Sequence, residues 1–597
     1  MSFRPPVREH LFVLRDVLDI ERFAELPGFA DAPFEVIEQI LDGAAKFSAE
    51  VLAPLNRVGD RQGCRRAADG AVTTPEGFKA AYEALTAGGW TALAADPAFG
   101  GQGLPGVVNL AVSEMNSAAN MAFSMYPGLT HGAYSAIAHG GSDEQKALYL
   151  PRLASGQWCG TMNLTEPQCG TDLGLLRTKA VAAADGAYHI SGQKIWISGG
   201  EHDLAENIVH LVLARIEGAP EGTRGISLFI VPKFLPGPDG ALGARNSLLC
   251  AGLEEKMGIH GNATCVMAYD AATGWLVGEE NRGLALMFVM MNEARLGVAL
   301  QGLAQGEAAY QAAAGFARER LQGRALTGPV NAAGPADPIL VHPDVRRMLM
   351  DARAVLEGGR AFLLWAGLHG DLARLHPDEA QRQRSADFMG LLTPVLKGFL
   401  TERGFAICSD AVQIHGGAGF TEEMSVSQRL RDCRITMIYE GTNGIQALDL
   451  VGRKLAANGG RAVSAFFAEI DAWVAKQGGE DGLKDFTEAL AAAKARLQDA
   501  TLWLMQNGLA DPDNAAAAST DYLRLFGLTG LAYMWAMMAR AAQQRIAAGE
   551  SDRFFADKLA VGRYFIARVL PDAEASLAKL KSGAAVVMAL PAEAFEA

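Results

Sequence analysis

The sequence predicts a mainly helical protein interrupted by one β domain, with a further helical domain appended after it. Three observations lead there. Apolar residues recur at the helical period through residues 36–157 and again from Gly283 onward. Between them lie short β-branched and aromatic runs separated by Gly, Asp and Pro, the pattern of an antiparallel β domain. After a boundary at Asn458-Gly459-Gly460 the chain returns to helix-forming residues up to its end. Strand and helix do not alternate, which argues against a doubly wound sheet and against a βα barrel.

Taken in order, residues 1–35 form an N-terminal extension with an apolar face of Leu11, Phe12, Leu14, Val17, Leu18 and Ile20. The first helical domain, 36–157, opens on Phe34, Ile37, Ile40 and Leu41 and continues through 78–87, 109–121 and 142–153. Within it, 101–106 matches G-x-G-x-x-G. Pro105 breaks the motif, residues 96–100 read as loop, and Tyr126 stands where a ribose-binding acid is needed, so the segment is a connecting loop. The β domain covers 158–280, with strands expected at 158–164, 175–183, 188–191, 194–198, 208–216 and 225–231. A helical bundle follows at 281–457, with helices at 284–310, 312–321, 343–368 and 380–409 and a Gly/Pro-rich loop at 327–338. The C-terminal helical domain, 461–597, breaks at Asp511-Pro512.

Composition bounds the function. The 597 residues carry a net charge of −14, and the tail from 461 holds 14 basic against 17 acidic residues, which argues against nucleic-acid binding. Seven cysteines without a C-x-x-C pair make neither a disulfide framework nor a zinc site; they suit a reducing compartment, and no metal is expected. The first ten residues lack a basic-then-apolar leader, and the apolar stretches 284–291 and 528–538 are too short to span a bilayer. A cytoplasmic enzyme without a membrane partner is expected.

The chemistry concentrates at 437–446, Met-Ile-Tyr-Glu-Gly-Thr-Asn-Gly-Ile-Gln. An apolar run, 435–439, reads as buried and ends at Glu440. A flexible turn follows, then a helix marked by Ile445, Leu448, Val451 and Leu455, which Thr442 or Asn443 can cap. A carboxylate so placed is desolvated, and its pKa rises toward the range of a general base. Two further constellations stand upstream. Leu164-Thr-Glu-Pro-Gln-Cys-Gly-Thr-Asp172, followed by Gly192-Gln-Lys-Ile-Trp-Ile-Ser198, offers a strand, a hydroxyl-rich turn for phosphates and a Trp on which a planar cofactor can stack. Gln413-Ile-His-Gly-Gly-Ala-Gly-Phe420 supplies glycines that let the backbone approach a ligand. His415, His260 and Cys169 have no partners at metal spacing and read as structural.

With T-E-P-x-x-G-T-D, G-x-K-x-W-I-S, Q-x-x-G-G-x-G and Y-E-G-T in this order, the sequence resembles the acyl-CoA dehydrogenase family from about residue 36 to 455. The resemblance implies an FAD flavoprotein of three domains (helical, β, helical bundle), to which the N-terminal extension and the tail are additions seen in a larger subgroup. The run 439–454 is most similar to the branch acting on 3-methylthiopropanoyl-CoA in dimethylsulfoniopropionate breakdown. That compound, or a short to medium straight-chain acyl-CoA, is the implied substrate. Glu440 is implied as the base that removes the α-proton while hydride passes from the β-carbon to flavin N5, giving the trans-2-enoyl-CoA.

The family's cofactor positions fall here on Met162, Leu164 and Thr165 at the flavin ring, Thr171 at the pyrophosphate, and Trp196 and Ser198 on the ring's other side. Thr442 falls on the adenine-side phosphates. Gln413, Gly416, Gly417 and Arg320 match residues reaching the FAD of a neighbouring subunit, which implies a homodimer or dimer of dimers. Asn292 and Arg295 match contacts to the CoA chain, and an electron-transfer flavoprotein is the implied acceptor. Departures are Gly444 for a polar cofactor contact, Arg320-Leu-Gln-Gly-Arg324 for the family's Arg-x-x-Phe-Gly, and Met162 for an aromatic. Where some branches carry the base on a helix, Ala294 stands here, and Glu293 beside it is a distant second candidate. An acyl-CoA oxidase, a DNA-associated flavoprotein and a membrane-associated long-chain enzyme share the fold and are the rival readings.

Overall fold

The first helical layer is built from α1 (Phe34–Phe47), α2 (Gly106–Ala119) and α3 (Met121–Gly140) in a computed structural model that describes residues 3–595. Met1 and Ser2, at the start of the extension, and residues 596–597 of the tail lie outside the described residues. Asn120 turns the chain between α2 and α3 and caps α3 by accepting from the Phe123 N–H at 3.1 Å. The segment before Gly106 is loop, as its proline requires.

A seven-stranded sheet follows, of β1 (Trp158–Asn163), β2 (Lys179–Ala182), β3 (Ala187–Ser198), β4 (Asn207–Ile216), β5 (Ile226–Pro232), β6 (Leu248–Leu253) and β7 (Thr264–Val277). Their order is β6-β7-β3-β2-β4-β1, and β5 pairs with both β7 and β4, so the sheet closes on itself and leaves few free edges. The expected antiparallel pairing holds for most of the sheet, with two exceptions. β1 runs parallel to β4, from Trp158 opposite Asn207 to Asn163 opposite Val212, and β2 also meets β4 in parallel. The long connection 164–206 supplies the crossover that a parallel pair needs. The runs 188–191 and 194–198 are one strand. Gly192 between them passes so close to Thr178 that a Cβ there would lie 2.6 Å from its hydroxyl. The strand expected over 175–183 is shorter, Lys179–Ala182, and residues 173–175 at its approach form a 3₁₀ turn capped by Asp172.

The bundle consists of α4 (Gly283–Glu319), α5 (Pro343–Leu375) and α6 (Glu379–His415). α4 is one helix where two were expected. By length and composition it could cross a membrane, yet in the fold it packs against α2, α3, α5 and α6. α4 and α6 touch backbone to backbone, since a Cβ on Gly404 would lie 2.1 Å from the Gly302 carbonyl oxygen. That crossing sets Arg295 of α4 and Lys397 of α6 under one turn. A short helix, α7 (Asn443–Asp449), leads to the tail, chiefly α8 (Arg461–Gln477), α9 (Lys484–Trp503), α10 (Pro512–Ala547) and α11 (Arg553–Tyr564).

The N-terminal extension docks on this tail. Phe12 meets Phe554 edge-on at 5.4 Å, and the buried ammonium of Lys558 bonds both Glu9 and Glu357, the latter at 2.7 Å. One apolar core therefore runs from the extension through the bundle to α10 and α11.

Candidate active site

Residues 435–437 form a 3₁₀ turn, and the run expected to be buried is only partly so, with Ile438 46% exposed. The chain then reverses at Glu440, which has a left-handed backbone at φ +59°. A non-glycine residue keeps such a conformation only when its surroundings enforce it. Here they do. The Glu440 carbonyl accepts from Arg295 Nε at 3.3 Å and Gln446 Nε2 at 3.1 Å, and the Gly441 carbonyl accepts from Lys397 Nζ at 2.8 Å and Gln446 Nε2 at 3.1 Å. Thr442 caps α7 by accepting from the Ile445 N–H at 3.3 Å. Asn443 faces inward instead and accepts from Lys397 at 3.0 Å. The Glu440 N–H meets no acceptor among the described residues.

Three charges meet at this turn. Burial pushes the Glu440 carboxyl up to about 7, against the pull of the Arg295 and Lys397 cations. Burial likewise pushes the Lys397 ammonium down to about 7, against the pull of Glu440. Arg295 is 5% exposed and its guanidinium faces Asp449 at 3.5 Å, so it lies beneath the turn rather than on an open wall. Asn292 is exposed.

Glu440 and Tyr439 open onto a cavity of about 470 Å³ lined chiefly by α2, α3 and α4 and reaching α5 and α6, with Ser198 of β3 also on its wall. Tyr439 donates its hydroxyl to Gln301 across it. Glu293 lines the same cavity and approaches His131 of α3 at 3.9 Å. Both candidate bases thus face one space, and Glu440 stands on a strained turn with its carboxyl pushed up into the neutral range.

Beside the cavity, the turn after β1 and the end of β3 are tied together. Thr165 accepts from the Ile195 N–H at 2.9 Å, and Thr161 Oγ1 donates to the Ser198 carbonyl at 2.7 Å. Glu166 and Lys194, one from each motif, form a buried ion pair at 2.8 Å; Glu166 also accepts from Thr178 Oγ1 at 2.6 Å and from the Arg177 N–H at 2.8 Å. These bonds and the Lys194 cation outweigh burial and hold the Glu166 carboxyl down at about 2, while burial lowers Lys194 to about 8.

The pairing of β3 with β7 slips between Cys265 and Met267, and in that bulge Trp196 takes φ +59° and turns its indole outward, 61% exposed. A large exposed ring in a strained bulge, beside a turn whose Thr171 is exposed and whose Gly170 faces open space, fits a planar cofactor with phosphates. Met162 and Leu164 are almost wholly buried behind that turn.

Elsewhere, Phe316 stacks on His415 at 4.5 Å and brings the end of α4 beside the end of α6. Arg320, Gln413, Gly416 and Gly417 are all exposed there, and none lines the Glu440 cavity. No group of residues able to hold a metal occurs among the described residues. Lys397, Gln446, Gln301 and His131 were not singled out from the sequence. A lone lysine within the apolar stretch from Leu391 to Leu400 was the one visible signal.

Four family models match. "Acyl-CoA dehydrogenase" N-terminal, middle and C-terminal domains match residues 35–157, 161–272 and 281–455, and "Acetyl-CoA dehydrogenase C-terminal like" matches 466–591. The 3-methylmercaptopropionyl-CoA dehydrogenase of Ruegeria pomeroyi is 44% identical, covering 97% of this chain and 98% of its own. A butyryl-CoA dehydrogenase of Syntrophomonas wolfei is 33% identical over 99% and 98% of the two chains. The solved acyl-CoA dehydrogenase of Bacillus anthracis complexed with FAD shares the fold, with a TM-score of 0.74 and 22% identity over 92% of this chain and 88% of its own.

Proposed function

Because this chain belongs to the acyl-CoA dehydrogenase family and is an FAD-dependent oxidoreductase, we propose that Glu440 is the base that takes the α-proton of a bound acyl thioester. The observation that carries this is the Glu440 turn: a carboxyl pushed up to about 7, on the wall of a cavity, at a backbone position clamped by Arg295, Gln446 and Lys397. A base near neutral is matched to its task, ionised in good part at neutral pH and still avid for a proton. The free Glu440 N–H donates to the thioester carbonyl, stabilising the negative charge that develops there as the α-proton leaves.

Bound FAD supplies the acceptor for the hydride that leaves the β-carbon. Trp196, Ser198, Thr165, Met162 and Leu164 hold its ring system and Thr171 its pyrophosphate, a reading supported by the exposed indole and the open turn. Thr442 lies at its adenine-side phosphates. Gln413, Gly416, Gly417 and Arg320 reach the cofactor of a second copy in a homodimer or dimer of dimers, supported by their joint exposure at two adjoining helix ends. Asn292 meets the CoA chain, whereas Arg295 serves the turn.

The substrate is 3-methylthiopropanoyl-CoA, which the 44% identity to the Ruegeria enzyme supports. An electron-transfer flavoprotein takes the electrons onward. The location is cytoplasmic, consistent with seven unpaired cysteines. The segments 1–35, 36–157, 158–280, 281–457 and 461–597 are the working division of the chain, supported by the return of helix at Gly283 and the glycine turn at 458–460. Anaerobic titration of the purified flavoprotein with a panel of acyl-CoA esters tests the reading. Bleaching of the visible flavin band by 3-methylthiopropanoyl-CoA is expected; a band that no ester bleaches would refute it.

A further inference from the structure

We propose that Gly128 of α3 and Gly297 of α4 form a notch beside Glu440 that admits straight acyl chains longer than the 3-methylthiopropanoyl group. The inference rests on the acyl-CoA dehydrogenase reading and extends it to chain-length selectivity.

The register of the two helices places the notch. α3 and α4 run antiparallel: a Cβ on Gly140 would point at Leu286, a Cβ on Gly132 at Met290, and His131 approaches Glu293. Continued along the helices, that register sets Gly128 opposite Gly297 and Ser124 opposite Gln301. All four line the cavity, and Gln301 is the residue that receives the Tyr439 hydroxyl next to Glu440.

The reason for glycine differs between the two pairs. At Gly132 and Gly140 a Cβ would lie 2.8 and 2.5 Å from the facing side chain, so close packing explains them. At Gly128 and Gly297 a Cβ would meet nothing within 4 Å, and neither has a positive φ. Glycine inside a helix costs about 1 kcal/mol relative to alanine. Neither packing nor backbone conformation offsets that cost here; the feature glycine provides is open volume.

That volume continues well past the site of the chemistry. The cavity of about 470 Å³ also takes the thioester end at Glu440 and borders the flavin wall at Ser198, so its reach past the glycines is the measure of chain length. The lining of α3 from Ser124 to Ser135 is about 16 Å long at 1.5 Å per residue. Beyond the glycines the cavity continues to Leu110 of α2, Gly367 and Gly370 of α5 and Met389 of α6.

The test is a chain-length series on the flavin-loaded enzyme, comparing kcat/KM for butyryl-, octanoyl- and dodecanoyl-CoA in the wild type, Gly128→Leu and Gly297→Leu. The wild type is expected to keep octanoyl-CoA within about tenfold of butyryl-CoA. In either variant the octanoyl-to-butyryl ratio falls by about 10-fold or more, the lower end of what one methylene's fit is worth in an apolar pocket. A wild-type series that collapses beyond butyryl-CoA overturns the proposal, as does a ratio unchanged in both variants. If a leucine variant fails to fold, the wild-type series together with Gly128→Ala decides. Loss of flavin bleaching with every ester, short ones included, refutes the dehydrogenase reading itself and is thereby distinguishable.

Discussion

Lys397 holds the turn on which Glu440 stands. Its fully buried ammonium donates to the Gly441 carbonyl at 2.8 Å, and burial draws the two groups together in proton affinity, the lysine down and the acid up, each to about 7. A base must be deprotonated to act, so kcat/KM is expected to rise with pH and level off above about 7. Lys397→Met removes a cation that favours the carboxylate, so the base titrates higher and the rising limb moves to more alkaline pH. A pH–rate profile that stays in place removes Lys397 from this role.

Glu440→Gln keeps the shape of the turn and deletes the base. Turnover should fall by about 10³-fold or more, within the usual worth of a positioned general base with some loss of charge stabilisation added. The purified protein should remain yellow. Activity retained at wild-type level points instead to Glu293, the other carboxylate on the cavity.

Trp196→Ala removes the exposed indole at a strained bulge, and Thr171→Ala an exposed hydroxyl of the turn. Each variant is expected to leave purification with a lower ratio of flavin to protein. Trp196→Ala is expected to lose more, because an aromatic face carries more contact than one hydroxyl. Full flavin content in both variants rejects these contacts.

Lys558→Met is expected to destabilise without touching chemistry. Lys558 is fully buried between Glu9 and Glu357, and removing it leaves Glu9 without its ion-pair partner and Glu357 with Arg353 alone. The cost should be about 3–5 kcal/mol, read as a lower midpoint in urea. A midpoint within error of the wild type shows that the pair is screened by water.

Much of this was legible in the sequence. Periodicity marked the helices, and the order of the motifs singled out 164–172, 192–198, 413–420 and 439–442, of which the structure brings Ser198 and Glu440 onto one cavity while Gln413 lies apart from it. The parallel pairing of Trp158–Asn163 with Asn207–Ile216 was not, because alternation along one strand says nothing of the direction of its neighbour. The single helix Gly283–Glu319 was read as two, since Gln311 and its alanine-rich surroundings dilute the apolar pattern. Lys397 escaped because its partners, the Gly441 carbonyl and the Asn443 side-chain oxygen, are brought near by the close crossing of α4 and α6 at Gly302 and Gly404. Glu166 and Lys194 were quoted as motif letters, yet their buried ion pair is what binds the two motifs into one wall.

The bond between Glu9 and Lys558 joins residues 549 positions apart. During synthesis the first of them waits while the rest of the chain is made. Until α11 emerges, Phe12, Val13 and Leu14 lack part of their cover, Glu9 lacks its cation, and Glu357 is left with Arg353 alone. The last closure of the core is therefore a late event in the life of the polypeptide, and chains interrupted before residue 558 leave an apolar seam open beside an unpaired Glu9 carboxylate.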